Sequence, residues 1–297
     1  MSKIYGFGNA LIDIEISISE EQLSSLGIIK GSMIHISRNQ KIKWLLDFKD
    51  NILSKEPGGS IANSLHAASQ SGSECFFSCS LGSDKEAKEF SEGFKNSNTK
   101  IFSNISKEDT GICFIFVTSD GERTMASNLA ANKKLVPECL NKEMISNSDW
   151  LIFDAFSVCT KNGFRTAKRA LEIAKTNNIK IGFGLADINL IESNLNEIKW
   201  VIDQKIDLLT GNKSEISLLN KYVKIESNTL CSLGSGGSTY NTKTVSAPLV
   251  KVVNTNGAGD ALLGTFISLI KNKGEQIALE EAVRYASKVC TKGGPRL

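Results

Sequence analysis

From Trp150 onward the sequence alternates between two kinds of segment, and this alternation restricts the fold more than any other feature. Trp150 to Phe153 is an apolar, strand-like run that ends at Asp154. Residues 162 to 177 carry helical periodicity. Lys180 to Leu185 reads as a second strand, followed by Asp187 and Asn189, and Ile206 to Leu209 as a third, followed by Thr210-Gly211-Asn212-Lys213-Ser214-Glu215. Strands that alternate with helices form parallel sheets covered by helices on both faces. In such sheets ligands sit just beyond the carboxyl ends of the strands. Asp154, Asp187, Asn212 and Asp260 all fall there.

The densest chemistry lies at Val252-Val253-Asn254-Thr255-Asn256-Gly257-Ala258-Gly259-Asp260. A strand-like pair leads into a polar turn, and Ala261, Leu262, Thr265, Phe266 and Leu269 then follow at helical spacing. Gly257, Ala258 and Gly259 thus stand where a helix begins. The first amides of a helix lack internal partners, and small residues let an anion approach them. A carboxylate beside such a site is useful if it removes a proton from an attacking hydroxyl while the amides absorb developing charge. On spacing alone, a tight turn with Asp260 in the first helical turn is an equal reading.

Two stretches of the first half carry similar weight. Lys3 to Gly8 reads as a buried strand, and Gly6-Phe7-Gly8 lacks the third glycine of a dinucleotide fingerprint. Leu11 to Ile18 alternates apolar and polar residues, with Asp13 near its start. Gly58 and Gly59 precede a helix whose apolar positions include Ile61, Leu65 and Ala68, with Asn63 in its first turns. Residues 20 to 30 look helical, Gly31 to Ser37 and Cys75 to Leu81 look extended, and Asp84 reads as a helix cap. Ser119-Asp120-Gly121-Glu122 between two extended runs signals a hairpin. Further on, Leu233-Gly234-Ser235-Gly236-Gly237 is a glycine-rich turn between strands with no lysine after it, so it is not a Walker-type phosphate loop. Residues 276 to 290 read as a closing helix.

Bulk properties exclude several classes. A chain of 297 residues with 41% hydrophobic and 23% charged residues suits one large α/β domain. The formal charge of +3, with scattered Lys and Arg, leaves no nucleic-acid footprint. Seven cysteines without regular spacing build neither a disulfide framework nor a zinc cluster and suit a reducing cytoplasm. No apolar run is long enough for a membrane span. The two histidines, His35 and His66, form no catalytic or metal set, and His66 is the better candidate for a pocket wall.

Taken together, the motifs resemble those of the ribokinase-like (PfkB) carbohydrate kinase family. Asn254-Thr255-Asn256-Gly257-Ala258-Gly259-Asp260 is similar to the family's D-T-x-G-A-G-D, with Asn254 in place of the usual Asp. Asn keeps the hydrogen-bonding shape and loses the charge, which bears on cation affinity at that corner. Gly8, Asn9 and Asp13 match G-N-x-x-x-D, Gly58, Gly59 and Asn63 match G-G-x-x-x-N, Asn212 and Glu215 match N-x-x-E, and Thr110-Gly111 with Asp120-Gly121-Glu122-Arg123-Thr124 matches the hairpin pattern.

The resemblance implies one ribokinase-like domain over residues 1–297, a three-layer α/β/α unit with a central, mostly parallel sheet. A small β lid would come from segments within roughly 11–40 and 100–127. It implies ATP-dependent transfer of the γ-phosphoryl group to a primary hydroxyl, with Asp260 as base and Gly257, Ala258 and Gly259 as anion hole. Asn9, Asp13, Gly58, Gly59 and Asn63 would hold the acceptor. Asn212, Leu233, Gly234, Gly237, Thr255 and Asn256 would line the nucleotide site, and Glu215 would help place Mg²⁺. A monovalent cation such as K⁺ is a further family cofactor. The adenosine-kinase-like branch, which the hairpin and the closing Gly294-Pro295-Arg296-Leu297 resemble most, implies a nucleoside acceptor such as adenosine. A free-sugar kinase of ribokinase or fructokinase type is the alternative, and a catalytically silent sugar- or nucleoside-binding protein a third. An exposed lid edge would support a homodimer, and a cytoplasmic enzyme acting on small molecules, without nucleic acid or membrane, is expected.

Overall fold

The computed structural model describes all 297 residues. Its strands in chain order are β1 (Lys3–Phe7), β2 (Leu11–Ser17), β3 (Met33–His35), β4 (Ile52–Gly58), β5 (Glu74–Leu81), β6 (Thr99–Ile105), β7 (Gly111–Val117), β8 (Arg123–Asn128), β9 (Trp150–Asp154), β10 (Lys180–Gly184), β11 (Leu208–Asn212), β12 (Asn228–Ser232), β13 (Ser238–Tyr240) and β14 (Lys243–Val245). Nine of them form one sheet, in the order β14-β13-β12-β11-β10-β9-β1-β5-β6. Every neighbouring pair from β12 to β6 is parallel, and only β13 and β14 turn back antiparallel at one edge. The alternation of strands and helices implies the parallel sheet, and the two-sheet arrangement is the ribokinase-like α/β fold that the family resemblance implies.

Side-chain alternation splits the sheet between two cores. Ile4, Trp150, Ile152 and Leu208 face a cluster built with the helices Ser60–Gln70 and Ala258–Val289. Tyr5, Leu151, Phe153 and Leu209 face the other, with the helix Lys161–Thr176. Successive strand residues point to opposite faces, so a fully buried parallel strand must be apolar throughout.

The second sheet has five strands, ordered β3-β8-β7-β2-β4. One of its faces, carrying Ile12, Ile14, Phe114 and Phe116, packs under Trp44 and Phe48. The other carries Leu11, Cys113 and Ile115, with Met125 beside them, toward the large domain. Asp13 shares that face with Leu11 by the two-residue period. Residues 20–30 are helical only over Glu20–Ser25, because Gly27 adopts φ 70° and turns the chain. Two strands were not foreseen: β4 forms an edge of the small sheet, and Thr99–Ile105 pairs with β5 in the large sheet rather than feeding the small one.

Two helices bring the site together. Gly59, at φ 94°, starts Ser60–Gln70, and Gly257, at φ 75°, starts Ala258–Val289. The latter is two helices joined at Gly274, which has non-helical φ and ψ, so residues 276 to 290 are its second arm. The first arm packs along Ser60–Gln70 so closely that a Cβ at Gly264 would overlap the Ser64 carbonyl. No helix is long and apolar enough to cross a membrane.

Candidate active site

Asp260 lies in the first turn of its helix, half-buried at the floor of a cleft between the two sheets. Ser60 Oγ donates to its Oδ1 at 2.7 Å, and Asn63 Nδ2 donates to its Oδ2 at 3.0 Å. Burial lifts its pKa above the ordinary carboxylate value, against the pull of those two donors and of the Arg296 charge. The backbone N–H groups of Gly257, Gly259 and Asp260 have no backbone acceptor, whereas that of Ala258 turns back to the Thr255 carbonyl at 3.3 Å. The free amides of the glycine turn are therefore those of Gly257, Gly259 and Asp260, and Ala258 contributes its small side chain. A Cβ at Gly257 would run into Pro295, and its positive φ independently favours glycine.

Three cavities converge on this turn, and Gly259 lines all of them. The first, of about 310 Å³, lies under the small sheet. Its lining mixes polar groups, among them Asn9, Asp13, Asn63, Asn256 and Asp260, with apolar side chains, among them Leu11, Met33, Ile115, Met125 and Phe156. Asp13 is buried there, and burial, reinforced by the charges of Asp260 and Glu15, pushes its pKa up to about 7. Asn256 Nδ2 donates to Asp13 Oδ2 at 3.2 Å. Gly58 does not line the cavity; a side chain on it would overlap the Asp13 carboxylate, so the glycine makes room for that group. Gly59 likewise passes against the Asn9 carbonyl.

The second cavity, of about 250 Å³, runs past Asp154, Asn212, Glu215 and Asp260. Asp154 caps the turn Ala155–Val158 through Ser157, and burial raises its pKa to about 6. The third, of about 450 Å³, is lined by Gly234, Gly237, Thr255, Ala258 and Ser287, and walled by the segment Ala247–Val250. Asp154, Asp187 and Asn212, at or just past strand ends, and Asp260 all border one or more of these spaces, but Val252-Val253 form no strand, so Asp260 is placed by its helix alone.

Some placements differ from the sequence reading. Asn256 sits in the cavity with Asp13, not on the side of Gly234 and Gly237. Leu233 lines none of the three; its N–H donates to the Gly237 carbonyl at 2.9 Å and so closes the glycine turn. His66 lines none either and packs edge-on against Phe94. Ser60 and Arg296 touch the core of the site without having been singled out. Ser60 stands directly after the paired glycines, which is the one local signal it carries. Arg296 Nε donates to Asn63 Oδ1 at 2.9 Å, a link across 233 positions that no local pattern reveals.

The cation-binding prospects of the residues differ. Glu215 and Asn212 form a reciprocal cap: Asn212 N donates to Glu215 Oε2 at 2.9 Å, and Asn212 Nδ2 donates to Oε1 at 2.7 Å. No three His, Cys, Asp or Glu side chains converge as a metal site. The oxygen donors beside the second cavity fit a magnesium ion that keeps most of its own waters. Asn254 does not fit as a ligand for a monovalent cation. Its Oδ1 accepts from Asn256 N at 2.7 Å, and its Nδ2 donates to Glu15 Oε2 at 3.3 Å.

Residues 28–297 match the model of the pfkB family of carbohydrate kinases. The chain belongs to that family and is a carbohydrate or nucleoside kinase. Among curated relatives, a probable fructokinase-2 of Arabidopsis thaliana is 28% identical over 265 residues, covering 77% of this chain and 76% of its own. A ribokinase of Dictyostelium discoideum is 29% identical over 276 residues, covering 80% and 84%. In fold the chain is similar to the adenosine kinase of Sinorhizobium meliloti, with a TM-score of 0.91 at 21% identity, covering 100% of this chain and 96% of that one.

Proposed function

We propose that this kinase transfers the γ-phosphoryl group of ATP to a primary hydroxyl of a ribosyl compound, and that the acceptor is a nucleoside such as adenosine. The meeting of three cavities at Gly259, two of them also lined by Asp260, carries the reading. Phosphoryl transfer needs an acceptor on one side, a nucleotide on the other, and a base and anion donors at the junction. Asp260, oriented by Ser60 and Asn63, takes the proton of the attacking hydroxyl. The free amides of Gly257, Gly259 and Asp260 stabilise the charge that develops on the transferred group. Asn9, Asp13 and Asn63, with Asn256, hold the acceptor's hydroxyls; Gly58 and Gly59 leave them room. Thr255, Gly234 and Gly237 hold the nucleotide, with Leu233 closing their turn. Mg²⁺ bound with the nucleotide would neutralise phosphate charge, and Asn212 and Glu215, which border the second cavity, would help to place it.

The choice of a nucleoside rests on the large apolar share of the acceptor cavity's lining. A free sugar carries hydroxyls all round, and a wall of Leu11, Met33, Ile115, Met125 and Phe156 would strand some of them without partners. A nucleoside brings hydroxyls for the polar groups and a flat, largely apolar base for the apolar side chains. The fructokinase and ribokinase relatives support the free-sugar reading as a second choice. A panel of nucleosides and sugars assayed for ADP release separates the two. Turnover of ribose or fructose well above that of every nucleoside would overturn the nucleoside reading, and binding without any turnover would leave a silent binding protein.

A further inference from the structure

Beneath the site lies a cation that the reaction scheme does not use. Arg296 reaches in from the segment after the long helix, and its guanidinium stacks over the Phe94 ring, 4.4 Å from the centroid. Its Nε donates to Asn63 Oδ1 at 2.9 Å. Its Nη1 and Nη2 are buried without a hydrogen-bond partner, and it forms no ion pair. A guanidinium placed for structural reasons normally closes its fork on a carboxylate, since a buried charge with open donors is costly. Here stacking and one hydrogen bond hold it in place, while its charge faces Asp13, Asp260 and Glu56 at longer range.

We propose that Arg296 is a positioning residue of the kinase site: its charge favours the ionised form of Asp260, and its Nε fixes the Asn63 amide that holds Asp260. The geometry is a relay. Asn63 has one amide with two ends. Arg296 takes the oxygen end, which forces the NH₂ end toward Asp260 Oδ2 at 3.0 Å. Without that donor the amide could rotate and present its oxygen to the carboxylate, turning an attraction into a repulsion. The charge acts in parallel. Asp260 shares its surroundings with Asp13 and Asp154, two buried carboxylates, and Asp187 borders the same cavity. Glu15 lies behind Asp13, but its nearest cation, Arg123 at 3.7 Å, faces Glu15 rather than Asp260. His66, also near Arg296, is held neutral, its pKa pushed down to about 4 by burial and by Arg296 itself. Arg296 is therefore the cation that offsets this cluster, and it draws Asp13 and Asp260 toward their ionised forms.

The inference rests on Asp260 being the base, so its test reads the carboxylate directly and not only the rate. Protein labelled with ¹³C at the Asp carboxyl carbons is titrated by NMR, with Asp260→Asn assigning the resonance, for the natural chain, Arg296→Gln and Arg296→Lys. Arg296→Gln keeps a donor for Asn63 and removes the charge. Its Asp260 midpoint is expected about one pH unit higher, the usual size for losing a nearby opposite charge. Arg296→Lys keeps the charge and puts a methylene where Nε stands, so the donor to Asn63 Oδ1 is lost. Its midpoint is expected within a few tenths of the natural one, while kcat at high pH falls about tenfold because Asn63 is no longer oriented. An unmoved midpoint in the Gln variant overturns the proposal. If that variant does not fold, the Lys variant decides: a midpoint displaced by a full unit, or an undiminished kcat, overturns it. A chain without kinase activity would sink the proposed reaction and leave the titration result standing.

Discussion

Two of the cavities that meet at Gly259 are lined by different kinds of group. The one under the small sheet is built from side chains: Asn9, Asp13, Asn63 and Asn256 converge on it, and Asp13 is held at the edge of ionisation. The one beyond Gly257 has no charged lining residue. It consists of glycine backbone at Gly234 and Gly237, the hydroxyls of Ser232, Thr255 and Ser287, and an apolar wall at Ala247 to Val250. Side chains discriminate among acceptors because each aims a particular donor or acceptor at a particular hydroxyl. Backbone amides and small residues accept any ligand that brings the right phosphate geometry. Under the proposed function, choice is concentrated on one side of Gly259 and tolerance on the other.

That contrast can be broken in graded ways. The largest effect belongs to the junction that both sides share: Asp260→Asn should lower kcat about 10³-fold, with melting temperature and both KM values little changed. A loss of tenfold or less in steady-state turnover would remove Asp260 as base. Next comes Gly257→Ala, which forces a side chain against Pro295 at a positive φ; kcat should fall about 10²-fold. If only the acceptor KM changed, the glycine turn would belong to the acceptor side and the division would fail.

Asp13→Asn should cost the acceptor about 10- to 100-fold in kcat/KM, the range for losing hydrogen bonds to a charged group, and leave the nucleotide KM unchanged. The pH dependence has a definite sign. In the folded chain Asp13 takes up its proton near pH 7, far above the ordinary value of 3.8. Acceptor affinity of the natural enzyme should therefore weaken as pH falls through about 7, and that of the Asn variant should not. Stability should move the other way. A raised carboxyl pKa means that keeping Asp13 ionised costs folding free energy above pH 7, a cost that fades as pH drops toward 4. Asp13→Asn should accordingly melt higher than the natural chain at pH 8 and lose that advantage at pH 4; calorimetry at the two pH values checks it. The smallest effect is expected at the fully exposed Leu249, where Leu249→Ser should raise the nucleotide KM about threefold through lost apolar cover, with the acceptor KM unmoved.

The same division explains what could be read from the sequence. The parallel sheet was legible because Trp150–Asp154, Lys180–Gly184 and Leu208–Asn212 are short apolar runs that end in polar residues, a pattern set by burial on both faces. The residues proposed for the acceptor were legible as a group of side chains in spaced motifs, of which Asn9, Asp13, Gly59 and Asn63 line one cavity. The nucleotide side was less so: which amides are free depends on the turn, and Ala258 spends its N–H on Thr255. The strand Ile52–Gly58 escaped notice because an edge strand half open to solvent, with Pro57 in it, carries neither alternation nor an apolar run. Asn256 was assigned to the nucleotide through its neighbours in the chain, but its side chain turns across the cleft to Asp13. The pairing of Arg296 with Asn63 depends on how distant segments pack, and nothing local encodes it.

The contact at Gly264 has a consequence for every substitution scheme around the base. Ser64 and Gly264 lie one helical turn beyond Ser60 and Asp260, and there the two helices meet main chain to main chain. No side chain cushions that contact, so the spacing between the two axes is fixed as if by a gauge block. Ser60 and Asn63 reach the carboxylate only at that spacing. Even one methyl group at Gly264 would jack the axes apart and loosen the grip of Ser60 and Asn63 on Asp260 from a point outside all three cavities.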